Sequence, residues 1–276
     1  TLGQEFASYS RMVMEDIQRL QEVIPLLCEI NLGGTAIGTQ LNAPKGYAQA
    51  ACEALNTLTS IEFVVAADMV EATQDAGVFV MVSGVLKRVA VKLSKTSNDL
   101  RLLSSGPRAG LGEIRLPAVQ AGSSIMPGKV NPVIPEVVNQ IAYQVIGNDL
   151  TVTLAAEAGQ LQLNAMEPVM AQCDFESAEL LMNGFDTLRT LCVDGITANR
   201  ERCADYVKNS IGVVTALNPI IGYKNSTKIA KEALATGRGV YDLVLEHGIL
   251  SKEELDTILK PENMIRPVKL NIKPRK

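Results

Sequence analysis

Apolar residues recur at helical spacing through most of the chain. From Leu2 to about Ile30 the pattern is that of a helix, with Pro25 marking a kink and the glycine-rich stretch 31-NLGGTAIGTQLNAPKG-46 an exit. A shorter, Ala-rich helix is expected from about 46 to 58. Between Met69 and Leu103, the residues Val78, Val82, Val85, Leu86, Val89, Leu93 and Leu100 keep to one stripe with no proline, which predicts a helix of bundle length. Ile134, Val137, Val138, Ile141, Val145 and Val152 mark a second long helix. A third follows the polar linker 157-EAGQLQLNAMEP-168 and runs to about Cys192 on Leu180, Leu181, Phe185, Leu188 and Leu191. After 194-DGITAN-199 the helices become short and are joined by glycines, and Ser251 with Glu254 forms a capping-box signature for a last one. Strand signals are confined to scraps such as 113-EIRLP-117. The pattern predicts an all-α fold: a long-helix bundle over 1–196 and a small C-terminal helical domain over 197–276.

Composition narrows the function classes. The chain has 276 residues, near the length where one core divides, and 47% of them are hydrophobic against 20% charged, as in a soluble globular protein. A net charge of -4, with no basic run interleaved with aromatics, argues against nucleic acid as a partner. Apolar runs such as 78-VFVMV-82 fall far short of the roughly 20 residues that span a bilayer, and no signal-type segment opens the chain. Five cysteines without a C-x-x-C spacing read as buried thiols in a reducing, cytoplasmic compartment. A single histidine, His247, leaves little from which to build a His-based metal site or a Ser-His-Asp triad. Neither a metal nor a cofactor is expected. Because the chain opens on Thr1 already in helical pattern, it reads as the later part of a longer protein.

The segment 104–131 has no helical period and is dense in Gly, Pro and Ser. Its last part runs into the second long helix as 121-AGSSIMPGKVNPVIPEVVNQ-140, where Pro132 and Pro135 are tolerated together only near a helix start. A helix N-terminus presents unpaired N-H groups and partial positive charge, a setting for carboxylate or phosphate. Gly122, Ser123, Ser124, Gly128, Lys129 and Asn131 supply mobility, hydroxyls, a full charge and an amide. These are parts of an anion-holding site. They are also what a Gly/Ser linker with Asn131 as N-cap contains, and spacing alone slightly favours the linker.

The whole string adds a further signal. The eleven residues 122-GSSIMPGKVNP-132 resemble the signature of the fumarase/aspartase superfamily, lyases that eliminate across a Cα-Cβ bond. The segments 133-VIPEVVNQ-140, 146-IGNDLTVT-153 and 155-AAEAGQLQLNAMEPV-169 are more similar to its aspartate ammonia-lyase branch than to class II fumarases. The likeness also takes in 2-LGQEF-6, 33-GGTAIGTQLN-42, 98-NDLRLLSSGPRAGL-111 and 211-IGVVTALNP-219, so it extends over essentially the full chain.

The resemblance implies reversible elimination of ammonia from L-aspartate to give fumarate, through an aci-carboxylate, without a cofactor. It assigns Ser123 as the general base that takes the Cβ proton, and Lys129 and Asn131 as ligands of the β-carboxylate. Ser124 adds a hydrogen bond and Met126 a shaping contact, and segment closure over substrate delivers Ser123. Glu136 matches a carboxylate that pairs with an active-site histidine in the family. The family's other two site segments, one of them bearing that histidine, belong upstream of 2-LGQEF-6 and are absent. The family also implies a homotetramer whose sites are each built from three subunits. A fumarase-type lyase, or an inactive fragment serving as an assembly module, are the alternatives.

Three weaker features complete the reading. Lys87, Arg88, Lys92 and Lys95 suggest a solvated face or inter-helix ion pairs, 33-GGTAIGT-39 a tight turn near the substrate cleft, and His247 an ordinary surface or half-buried side chain.

Overall fold

The computed structural model describes residues 1–276 except 121, 123–125, 127–129 and 276. The chain divides into two compact units, 6–111 with 116–197, and 198–276 with the short segments 1–5 and 112–115.

The larger unit is a helical bundle. Its helices are α1 (Leu2–Val23, whose first turn is counted with the other unit), α2 (Tyr47–Thr59), α3 (Glu71–Gln74), α4 (Gly77–Leu103), α5 (Val133–Glu157) and α6 (Glu167–Leu191). The helix of α1 ends ahead of Pro25, and Ile24–Cys28 continues as a 3-10 turn. Helices α4, α5 and α6 pack on one another along their length. The expected helix from Met69 to Leu103 is interrupted. Asp68 accepts the N-H groups of Val70 and Glu71 and starts the single turn of α3, and Asp75 then takes an extended conformation, so the long helix starts at Gly77. A local side chain that competes for backbone N-H groups thus overrides the apolar stripe.

The bundle core is narrower and more polar than the stripes suggest. On α4, Leu86, Val89, Ala90, Leu93 and Leu100 are buried together with Ser83, Ser94 and Ser97, whereas Val78, Val82 and Val85 are half-buried. On α6 the inward line is Met170, Cys173, Asp174, Ser177, Leu181, Gly184 and Leu188, while Leu180 and Phe185 are half-buried and Leu191 is exposed. At Gly184 the side chain of Ile141 on α5 fits closely against α6, since a Cβ there would stand 3.2 Å from its Cδ1. α5 is apolar on a second face as well: Tyr143, Ile146, Leu150 and Leu154 are exposed.

The smaller unit holds α7 (Arg200–Asn209), α8 (Val214–Thr236), α9 (Val240–Glu246), α10 (Lys252–Ile258) and α11 (Pro261–Met264). α8 is broken at Gly222, whose φ of 76° lies outside the helical range three residues after Pro219. Leu217, Ile221, Ile229, Leu243, Val244, Leu255 and neighbours form its core. The Ser251–Glu254 capping box is made in both directions, with the Ser251 hydroxyl accepting from the Glu254 N-H at 3.2 Å and the Glu254 carboxylate from the Ser251 N-H at 2.9 Å. Ser251→Ala is expected to destabilise this unit by about 1 kcal/mol. Hydrogen exchange of the α10 amides checks it, and unchanged protection contradicts it.

Candidate active site

Helix α5 begins where the two prolines require. Pro132 is at the cap, Pro135 is in the first turn, and the first intrahelical bond runs from the Glu136 N-H to the Pro132 carbonyl at 3.1 Å. The amides of Val133 and Ile134 precede that bond, so the 25-residue helix offers two N-H donors and the positive end of its dipole at this point. Asn131 is half-buried immediately upstream. With Pro132 in the cap position, Asn131 is not the N-cap that the linker reading required. Glu136 is half-buried in the first turn, and Met126 is exposed. Ser123, Ser124 and Lys129 lie outside the described residues, so the structure brings together Asn131, Glu136 and the helix terminus from the expected set.

On the other side of the long segment, the turn just beyond α4 is closed by the Ser105 side chain. The Ser105 hydroxyl donates to the Leu102 carbonyl at 2.6 Å and accepts the Leu111 N-H at 3.0 Å. Gly110 packs onto the same turn, where a Cβ would fall 2.4 Å from the Ser105 carbonyl carbon. Only glycine fits.

Polar contacts also join the long helices along their length, and the apolar pattern did not single them out. Asn139 bridges α5 to α4 through Ser94 and Arg101. Asn148 donates to Glu176 at 2.8 Å and to Ser177 at 3.1 Å on α6. Asp149 accepts from Ser83 at 3.0 Å and pairs with Lys87. The basic cluster of α4 resolves into ion pairs: Lys87 reaches α5, Arg88 and Lys92 both reach the buried Asp16 of α1, and Lys95 pairs with Asp99 and lies over the Tyr9 ring. The one available signal was a polar residue standing on a core stripe.

Asp174 differs from these. It is buried on α6, and neither carboxylate oxygen has a hydrogen-bond partner among the described residues. Burial, reinforced by the charge of Asp149, pushes its carboxyl up to about 6. A carboxyl raised in the folded state favours folding when protonated, so its contribution is lost as pH rises from about 4 to about 6. Asp174→Asn is therefore expected to raise the thermal midpoint at pH 7.5 and to leave it unchanged at pH 4. An equal shift at both pH values contradicts this.

The cysteines are free. Cys52, Cys173 and Cys192 are buried, but Cys28 and Cys203 are only half-buried, contrary to the expectation that all five are interior. Burial pushes the Cys192 thiol up to about 11 and also raises those of Cys173 and Cys203, which makes them poor nucleophiles at neutral pH. His247 contacts Glu232 at 2.8 Å and is partly exposed. The stretch 33–39 is a tight turn with positive φ at Gly33, Thr35 and Gly38. A Cβ on Gly38 would collide with the Met69 carbonyl oxygen at 2.2 Å. Among the described residues there is no cluster of three His, Cys, Asp or Glu able to hold a metal, and no helix long and apolar enough to cross a membrane.

Comparison with known proteins gives concordant matches. Residues 1–147 match a family model described as Lyase, and residues 213–266 one described as Fumarase C C-terminus. The chain is 60% identical over 268 residues to an aspartate ammonia-lyase of Pseudomonas canavaninivorans, covering 97% of this chain and 56% of that protein. It is 60% identical to the Helicobacter pylori enzyme of that name and 57% to the Escherichia coli one, with 97% of the chain covered and 57% and 56% of the relatives. The chain spans about half the length of the curated relatives it matches. Among solved structures, a fumarate lyase:delta crystallin from Brucella melitensis superposes with a TM-score of 0.93 at 55% identity, covering 97% of this chain and 58% of that one. A class II fumarase from Schistosoma mansoni superposes at 0.90 and 35% identity, covering 95% and 58%. With 147 of its 276 residues matched by the Lyase model, the chain belongs to that lyase family, in keeping with the fumarase/aspartase signature it carries at the head of α5.

Proposed function

We propose that the chain provides the proton-abstracting segment and helical core of an aspartate ammonia-lyase. Ser123 removes a proton from Cβ of L-aspartate, and the electron pair of that C-H bond moves onto the β-carboxylate to form an aci-carboxylate. Return of the pair forms the Cα-Cβ double bond and expels ammonia from Cα, leaving fumarate. A serine hydroxyl is a weak base unless its alkoxide is stabilised. Lys129 and the positive end of α5 lower that cost and, with Asn131, favour the charge that grows on the β-carboxylate in the transition state. Ser124 and Met126 bind and shape the same end of the substrate, and Glu136 stands ready for a histidine contributed from outside residues 1–276.

The observation that carries this reading is the 57–60% identity to ammonia-lyases over 97% of the chain, signature segment included. Ammonia release from L-aspartate by the natural full-length protein is the expected result. The match to a fumarase C-terminal model supports a second reading, a fumarase-type lyase. Hydration of fumarate to malate without ammonia release would establish that reading and reject the first. Turnover by residues 1–276 alone would exclude the further possibility of an inactive assembly module.

The assembly proposed is a homotetramer with composite sites, located in the cytoplasm, with 1–196 and 197–276 as its domains within this chain. The exposed apolar line Tyr143, Ile146, Leu150 and Leu154 on α5 supports a subunit interface, since a long helix apolar on two faces needs a second partner. Native mass of four subunits is expected, and a monomer contradicts it.

A further inference from the structure

Asn139 lies on the core line of α5 between Val138 and Ala142 and is only 2% exposed. A primary amide in that place is costly unless all its groups are matched. Here its Nδ2 donates to the Ser94 hydroxyl at 2.8 Å and the Ser94 carbonyl at 3.1 Å, and its Oδ1 accepts from Nη1 of Arg101 at 3.1 Å. Arg101 also reaches Asn98 at 3.4 Å. Ser94, Asn98 and Arg101 belong to the last turns of α4, which ends at Leu103, and Asn139 to the second turn of α5, which begins at Val133. One side chain therefore ties together the two helix ends from which the intervening segment is strung. Glu136 sits one turn upstream of Asn139, and Asn131 just ahead of the helix.

Apolar contacts discriminate less sharply than a directional bond between small rotations of α5 against α4, and the Asp149 contacts to Ser83 and Lys87 act about three turns further along α5. An amide matched at both ends accepts one geometry, so a buried polar bridge fixes register where an aliphatic residue would only fill space. We propose that Asn139 is a positioning residue. Through Ser94 and Arg101 it holds the first turns of α5, and with them Asn131 and Glu136, in the one rotation and register against α4 that the elimination requires. The inference rests on the lyase reading above.

The test compares Asn139→Leu, of similar volume, with Ser94→Ala, which keeps the carbonyl acceptor and deletes the hydroxyl, both in the natural full-length protein. Two readouts are taken on each: kcat and KM for L-aspartate, and hydrogen exchange at residues 133–138, with 170–188 of α6 as reference. For Asn139→Leu, kcat is expected to fall about tenfold or more and KM to rise a few-fold, as a small misplacement of reacting and binding groups produces. Exchange at 133–138 should accelerate about tenfold while α6 stays protected. Ser94→Ala should show both effects at smaller size, and it decides the matter if Asn139→Leu does not fold. Unchanged exchange at 133–138 overturns the clamp. Faster exchange with wild-type kcat overturns its positioning role. A wild-type protein that releases no ammonia rejects the lyase reading instead, and the exchange readout still decides the clamp.

Discussion

Ser123→Ala is expected to lower kcat for ammonia release from L-aspartate by about 10²- to 10⁴-fold, the range general-base groups contribute, with KM changed only a few-fold. The asymmetry follows from the roles proposed. Lys129, Asn131 and the N-terminus of α5 attract the substrate carboxylate whether or not the hydroxyl is present, so ground-state binding survives its removal. In the role proposed, the hydroxyl acts only as the proton leaves Cβ, so its deletion falls on the chemical step. Steady-state kinetics and exchange of the Cβ proton with solvent deuterium check the step directly. An Ala variant that keeps wild-type kcat or wild-type proton exchange assigns the base elsewhere.

The largest effect on stability is expected at Met170. Its side chain is fully buried among Ala76, Val152, Ala155 and Cys173 where α5 and α6 pack. Met170→Ala loses the transfer free energy of the removed atoms and opens a cavity that two long, mutually supported helices cannot collapse to fill, at a cost of about 2–5 kcal/mol. Chemical denaturation should show the midpoint falling with its slope unchanged. The kcat per folded site should be retained, because the residue lies along the bundle and away from the head of α5. A cost below about 0.5 kcal/mol would mean that the site repacks.

Both predictions draw on features with different degrees of legibility in the sequence. Pro132 and Pro135 located the start of α5 because a proline inside a helix costs a hydrogen bond wherever the rest of the chain lies. Ser251 and Glu254 located the start of α10 for a similarly local reason. Periodicity revealed three long helices, but it placed the start of α4 too early, because the turn made by Asp68 and the extended Asp75 carry no apolar signal. It also ranked Val78, Leu180 and Leu191 with the core and passed over Met170, Ser97 and Gly184, which are the positions that pack.

The helical class, the helix starts with local punctuation, and the string of residue types at the head of α5 from which lyase chemistry can be argued were all legible along the chain. Each of these depends on neighbours within a turn or two. Which polar residues are interior, and what satisfies them, emerged from the packing of the helices. Asn139 meets Ser94 across 45 residues, and Asp149 meets Ser83 across 66. Asp174 is left buried with no hydrogen-bond partner among the described residues. A hydrogen bond or ion pair is set by distance in space, which chain spacing does not encode once helices cross.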